Sequence, residues 1–298
     1  QLADGIMGMS RASDTLPKQM LKNHKVEHDM FTMCFRHELT QDKDGVTAGI
    51  LTIGGVDPRL QRSPMVYAKE RRMADEDDNW FTVHVKKVML RAGGGQSARH
   101  VNGDGETVTM EDITIISDNE RMLNSGSGVI VDSGTTDTYF SRKLSGPFKK
   151  AWKQLTGLGF YNSAMSISRE DVLKMPTILV QLEAYNDAED SADDGIDPDD
   201  VVGMAGTVLS PKSPRDVILA IPASHYMEYS PSTGKYTPRI YFSESSGGVL
   251  GANAMMNHDI LFDSEYSRVG FAESNCDYDE LLEEVKDTNP DVNEDVDG

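Results

Sequence analysis

Cysteine is almost missing from this chain: its 298 residues hold two, Cys34 and Cys276. One bridge is the most they can make, and two thiols this far apart also fit a reduced intracellular protein. Basic residues are scarce too. Lys and Arg number 29 against 49 Asp and Glu, giving a formal net charge of −20 and a pI near 4.6. So negative a surface repels phosphate, which sets nucleic acid aside as a partner. No apolar run approaches the roughly 20 residues that a membrane helix needs, and no Asn-x-Ser/Thr glycosylation acceptor occurs. The chain opens on Gln1 with neither a Met nor a signal peptide, which reads as a start that is not the gene's own.

What is present suffices for a core. Apolar residues make up 38% of the chain, and its length suits one large β domain or two smaller ones. Much of the apolar deficit sits in two segments. Glu183 to Asp200 carries nine acidic residues and no basic one, and Asp277 to Gly298 carries ten acids and one lysine. Both read as solvated, disordered stretches, and the first lacks the calcium-loop pattern of an EF-hand.

Apolar periodicity marks the framework. Ser13 to Lys25 reads as a short helix, with Ser13 or Asp14 to cap it, Pro17 in its first turn and Leu16, Met20 and Leu21 on one face. Leu144 to Leu155 reads as an amphipathic helix whose apolar face is Leu144, Phe148, Trp152 and Leu155. Met30 to Phe35, Thr47 to Gly55, Trp80 to Leu90 and Pro176 to Val180 read as strands. In the third of these, Phe81, Val83 and Val85 alternate with Trp80, Thr82 and His84. Gly93-Gly94-Gly95 lacks the helix and the Lys-Ser/Thr of a phosphate loop, so it reads as a hairpin tip. His24, His28, Cys34 and His37 lie near one another, but their spacing fits no zinc finger and a strand interrupts them; no metal is assigned.

The organising stretch is Gly128-Val129-Ile130-Val131-Asp132-Ser133-Gly134-Thr135-Thr136. A short apolar, β-branched run bounded by glycine reads as a buried strand. It delivers Asp132 into a turn of hydroxyls and glycine that can bond the carboxylate and fix it. A plain Asx or Ser/Thr turn closing a hairpin has the same composition.

The rest of the chain bears on that choice. Asp132-Ser133-Gly134-Thr135-Thr136 after an apolar strand resembles the second active-site signature of the pepsin-like aspartic proteases. Gly248-Val249-Leu250-Gly251 resembles the strand that supports that loop, and Ile260 to Asp263 with Arg268 to Ala272 resembles the family's closing strands. Phe31 to Cys34, Leu51 to Asp57 and Gly270 to Cys276 look closest to the beta-secretase-like branch. Asp4 to Met9 resembles the apolar-apolar-Gly element near the end of the family's first lobe. The resemblance therefore implies an all-β, bilobal fold cut short: residues 1–30 as a remnant of the first lobe, 31–276 as a complete second lobe, and 277–298 as an acidic tail.

The resemblance also assigns roles. Asp132 is one catalytic carboxylate of a pair; Thr135 bonds it, Ser133 grips the opposite loop, and Gly134 and Thr136 line the substrate cleft. Cys34 and Cys276 occupy bridged positions of the beta-secretase-like branch, although that branch's two other bridges have no cysteines here. The implied protein is an endopeptidase of peptide or protein substrates, monomeric and without cofactor or metal. It belongs in a secretory, endomembrane or acidic vacuolar compartment or outside the cell, and a membrane anchor beyond these residues is compatible with the branch. Two other readings remain: a homologue that binds peptides without cleaving them, and a homodimer with one Asp per subunit.

Overall fold

The computed structural model describes residues 5–36, 48–71, 79–93, 113–185, 205–206, 215–274 and 276–278. They are mostly strand. The first sheet runs β2 (Gly49–Ile53), β1 (Met30–Phe35), β16 (His258–Asp263), β17 (Arg268–Glu273), β3 (Val66–Lys69), every pair antiparallel. The second runs β10 (Ala205–Gly206), β11 (Val217–Ile221), β9 (Thr177–Leu182), β5 (Val85–Arg91), β6 (Ile113–Ser117), again antiparallel. The third runs β14 (Ile240–Glu244), β8 (Thr138–Ser141), β15 (Gly248–Leu250), β7 (Val129–Val131), β4 (Thr82–Val83). It is mixed: β14 lies parallel to β8 and β15 parallel to β7. A separate hairpin joins β12 (Met227–Ser230) to β13 (Lys235–Pro238).

Six α-helices accompany these sheets among the described residues: α1 (Leu16–Lys22), α2 (Glu120–Leu123), α3 (Ser145–Thr156), α4 (Arg169–Leu173), α5 (Ala223–Tyr226) and α6 (Ala252–Met255). The two that periodicity marks are α1 and α3. In α1, Pro17 sits in the first turn, where its missing N–H costs nothing. The longest, α3, ends at Gly157 in the left-handed region. It buries Phe148, Ala151 and Trp152, and Trp152 meets Phe160 and Tyr226 edge-on at 5.0 and 6.2 Å.

The central strands β9 and β11 are buried along their whole length, and apart from Thr177 and Gln181 they are apolar throughout instead of alternating. Ile178, Val180 and Leu182 face the main core, while Leu179, Ile218, Ala220 and Met89 form a small second cluster. Phe31, Phe81 and Phe262 tie the first sheet to the residues before β4, with ring centroids 4.9 to 5.8 Å apart.

Two expectations change. Trp80 to Leu90 is not one strand. It breaks at His84, so β4 serves the third sheet and β5 the second. The burial of Phe81, Val83 and Val85 follows the alternation, yet Thr82 is buried as well, its hydroxyl donating to the Arg71 carbonyl. Likewise, Val249-Leu250 lies in a strand as expected, but Ile6-Met7-Gly8 does not. Among the described residues no strand pairs with it, and Ile6 is left 82% exposed. The next turn is anchored: Arg11 pairs with Glu70, lies over the Phe81 ring at 4.9 Å, and donates its N–H to the Asn79 carbonyl at 3.2 Å.

Cys34 and Cys276 form a disulfide, with Cα atoms 5.2 Å apart. It joins β1 to the residues just past β17. Gly94, Gly95, His37 and most of the two acidic stretches lie outside the described residues.

Candidate active site at the Asp132 turn

The turn is built where two strands run side by side. β7 and β15 pair in parallel, Val129 opposite Gly248 and Val131 opposite Leu250. The ladder continues one residue further, because the Asp132 N–H donates to the Leu250 carbonyl at 3.0 Å. On the other side the Val131 N–H donates to the Phe81 carbonyl at 2.9 Å. The backbone that carries Asp132 is thus gripped from both edges before the chain turns. Val129 and Val131 are buried, and Asp132 emerges half-buried at the strand's end.

The turn then closes on its own carboxylate. The Gly134 N–H donates to Asp132 Oδ1 at 2.9 Å, and the Thr135 hydroxyl donates to Oδ2 at 2.6 Å. One oxygen is held by backbone and the other by a side chain, so the plane of the carboxylate is fixed with part of it still open to solvent. A charge-assisted bond as short as the second belongs to the stronger class. Gly134 and Thr136 are exposed, while Ser133 is half-buried with a hydroxyl that finds no partner among the described residues. The structure therefore brings Thr135 and Gly134 onto Asp132 and leaves Ser133 half-buried and Thr136 exposed beside them.

Beyond Thr136 the chain is clamped by residues that no local pattern marks. The Thr135 and Thr136 carbonyls accept from the N–H groups of Ala252 and Asn253 at 2.7 and 3.1 Å. Gly251 makes that approach possible: a Cβ there would stand 2.2 Å from the Asp137 carbonyl oxygen and 2.5 Å from that of Thr135. Asp137 is buried and accepts from Arg239 Nε at 3.1 Å, with Arg239 Nη2 at 3.1 Å from its other oxygen. Burial pulls the Arg239 guanidinium down, and Asp137 together with Glu228 and Tyr241 leaves it above its ordinary value.

Cys34 is taken by the disulfide, and His28 pairs with Glu265 at 3.2 Å. Among the described residues no group of three His, Cys, Asp or Glu could hold a metal ion. No described helix is long and apolar enough to cross a membrane. A scan against protein-family models and a search of curated proteins both find no match.

Proposed function

We propose that this chain is part of an aspartic-type endopeptidase of the pepsin-like kind, in which Asp132 is one of two catalytic carboxylates and the second belongs to a lobe outside these residues. The observation that carries the reading is the carboxylate itself. Its two oxygens are held separately by the Gly134 N–H and the Thr135 O–H, at the half-exposed end of a buried strand. An Asx turn alone would make the Gly134 bond as well, but this turn closes no hairpin, since β15 lies between β7 and β8 in the sheet.

In this reading a second carboxylate faces Asp132 across a bound water. Like charges so close cannot both ionise, so the pair shares one proton. The ionised member takes a proton from the water as its oxygen attacks the peptide carbonyl, and the protonated member donates to the oxyanion that forms. The unpartnered Ser133 hydroxyl is available to bond the opposing turn, and Gly134 and Thr136 border the cleft. The substrate is a peptide or protein, no cofactor takes part, and the protein works as a monomer. The disulfide suits an oxidising compartment; a secretory or endomembrane setting, an acidic vacuole or the cell exterior meets that condition.

The test sets the 298-residue chain beside the two-lobed parent on casein at about pH 4 to 5, where a proton-sharing dyad works. The parent should cleave, the chain alone should not, and an Asp132→Asn parent should be inactive. Proteolysis by the chain alone would contradict the two-lobe argument, and an active Asp132→Asn parent would overturn the site. A parent that binds peptides without cutting them would favour the alternative, a homologue that has kept only binding.

A further inference from the structure

We propose that Asn253, acting with the Asp137–Arg239 pair, is the positioning residue of the Asp132 turn. The inference rests on the protease reading for its functional meaning and on the geometry of the turn for its substance. Asn253 is buried at the start of α6, and every polar atom it owns on this side is used. Its N–H donates to the Thr136 carbonyl at 3.1 Å. Its amide oxygen accepts from the Thr138 hydroxyl at 2.6 Å, and its amide nitrogen donates to the Arg239 carbonyl at 2.9 Å. Arg239 in turn holds Asp137 through Nε and Nη2, and its own N–H donates to the Tyr226 carbonyl at 2.7 Å.

The consequence is a closed ring. Asn253 grips residue 136 with its backbone N–H, residue 138 with its side chain and residue 137 through Arg239, so three consecutive positions are tied to one residue and its neighbour. Thr135, which bonds Asp132, is the next residue back, and its carbonyl is held by Ala252. Upstream, Asp132 is already fixed by Leu250 and Val131 by Phe81. Without the ring the downstream end would keep only the main-chain bonds from Ala252 and Asn253 to the Thr135 and Thr136 carbonyls, and the residues just past the turn would lose the side-chain bonds that hold them. The two ends of the Asn253 amide are not interchangeable, since one faces a hydroxyl donor and the other a carbonyl acceptor. Asn253→Leu keeps the shape and removes both bonds; Arg239→Lys keeps the charge and the carbonyl but loses the planar fork on Asp137.

Two measurements test this. In the 298-residue chain, NMR order parameters of the Gly134 and Thr136 amides should fall from the rigid range toward the flexible one, below about 0.6, in Asn253→Leu, while those of Leu179 and Ile260 stay rigid. In the two-lobed parent the same substitution should lower kcat by about ten- to a hundredfold and change KM less, as expected when the reacting group itself is displaced. Core amides that loosen together with the turn would reduce Asn253 to a packing role, and a turn that stays rigid would overturn the proposal. If Asn253→Leu does not fold, Arg239→Lys carries the same two readouts. An inactive wild-type parent would sink the protease reading and leave the rigidity result standing by itself.

Discussion

At the scale of single residues, the acids of this chain do different work according to what surrounds them. Asp132 is half-buried and held by two donors, Asp137 is buried and paired with Arg239, and Asp263 is buried with Arg268 Nε at 2.8 Å. Asp259 is the exception. It lies fully buried on β16 opposite Cys34, with Oδ2 accepting from Gln61 at 3.3 Å and Oδ1 without a hydrogen-bond partner. Burial pushes its carboxyl above the ordinary 3.8; Gln61 and the Thr32 hydroxyl beside it pull back down, and the nearby Asp57 carboxylate pushes up. An acid whose folded value lies above its unfolded one is kept protonated by the fold. Its contribution to stability is therefore fullest below about pH 4 and is lost as pH climbs from there through the folded value. Asp259→Asn removes the titration and keeps the shape. Relative to wild type, its melting temperature should rise between pH 4 and pH 7; a difference that is the same at both pH values would show that Asp259 does not titrate in this way. Of the site, Asp132, Gly134 and Thr135 were legible because a turn that closes on its own carboxylate is local. Asn253, Asp137 and Arg239 were not, since more than a hundred positions separate the loop from the residues that clamp it, and nothing in Gly-Ala-Asn signals an amide aimed at a distant turn.

At the scale of elements, the strands that run as short apolar segments between glycines and turns were legible, as were α1 and α3. Sheet membership was not. The break at His84 hands β4 to one sheet and β5 to another, a choice made by partners far away in sequence: β7 for the first, β9 for the second. The Ile6-Met7-Gly8 pattern shows the same limit, because an apolar-apolar-glycine run becomes a strand only where a neighbouring strand receives its hydrogen bonds. Where β15 meets the Asp132 turn the tolerance is small. Gly251→Ala would drive its Cβ into two backbone carbonyls, and the backbone has to move; a loss of about 3 kcal/mol is expected in urea unfolding. Gly134→Ala is the control. Its Cβ would stand 3.2 Å from Asp132 Oδ1 at an exposed position, so it should cost well under half as much. Equal losses at the two glycines would mean that β15 does not set the position of the turn.

At the scale of the molecule, the chain is closed on itself. The disulfide links β1, near the start of the described residues, to the segment after the last strand, 242 positions away. Closing so long a loop restricts the unfolded chain and contributes roughly 3–5 kcal/mol. Denatured, unreduced protein should titrate no free thiol, and Cys34→Ser should lose stability of that order; two free thiols would remove the bridge and with it the argument for an oxidising compartment. The parallel pairing of β7 with β15 carries a consequence in time. Asp132 is held by Leu250, which a ribosome reaches 118 residues later. At about 5 to 20 residues per second the carboxylate is made some 6 to 24 s before the strand that aims it, and the clamp at Asn253 follows only then. A nascent or truncated chain thus carries the acid without its orientation, and whatever chemistry the turn performs is withheld until Leu250 and Asn253 have been made.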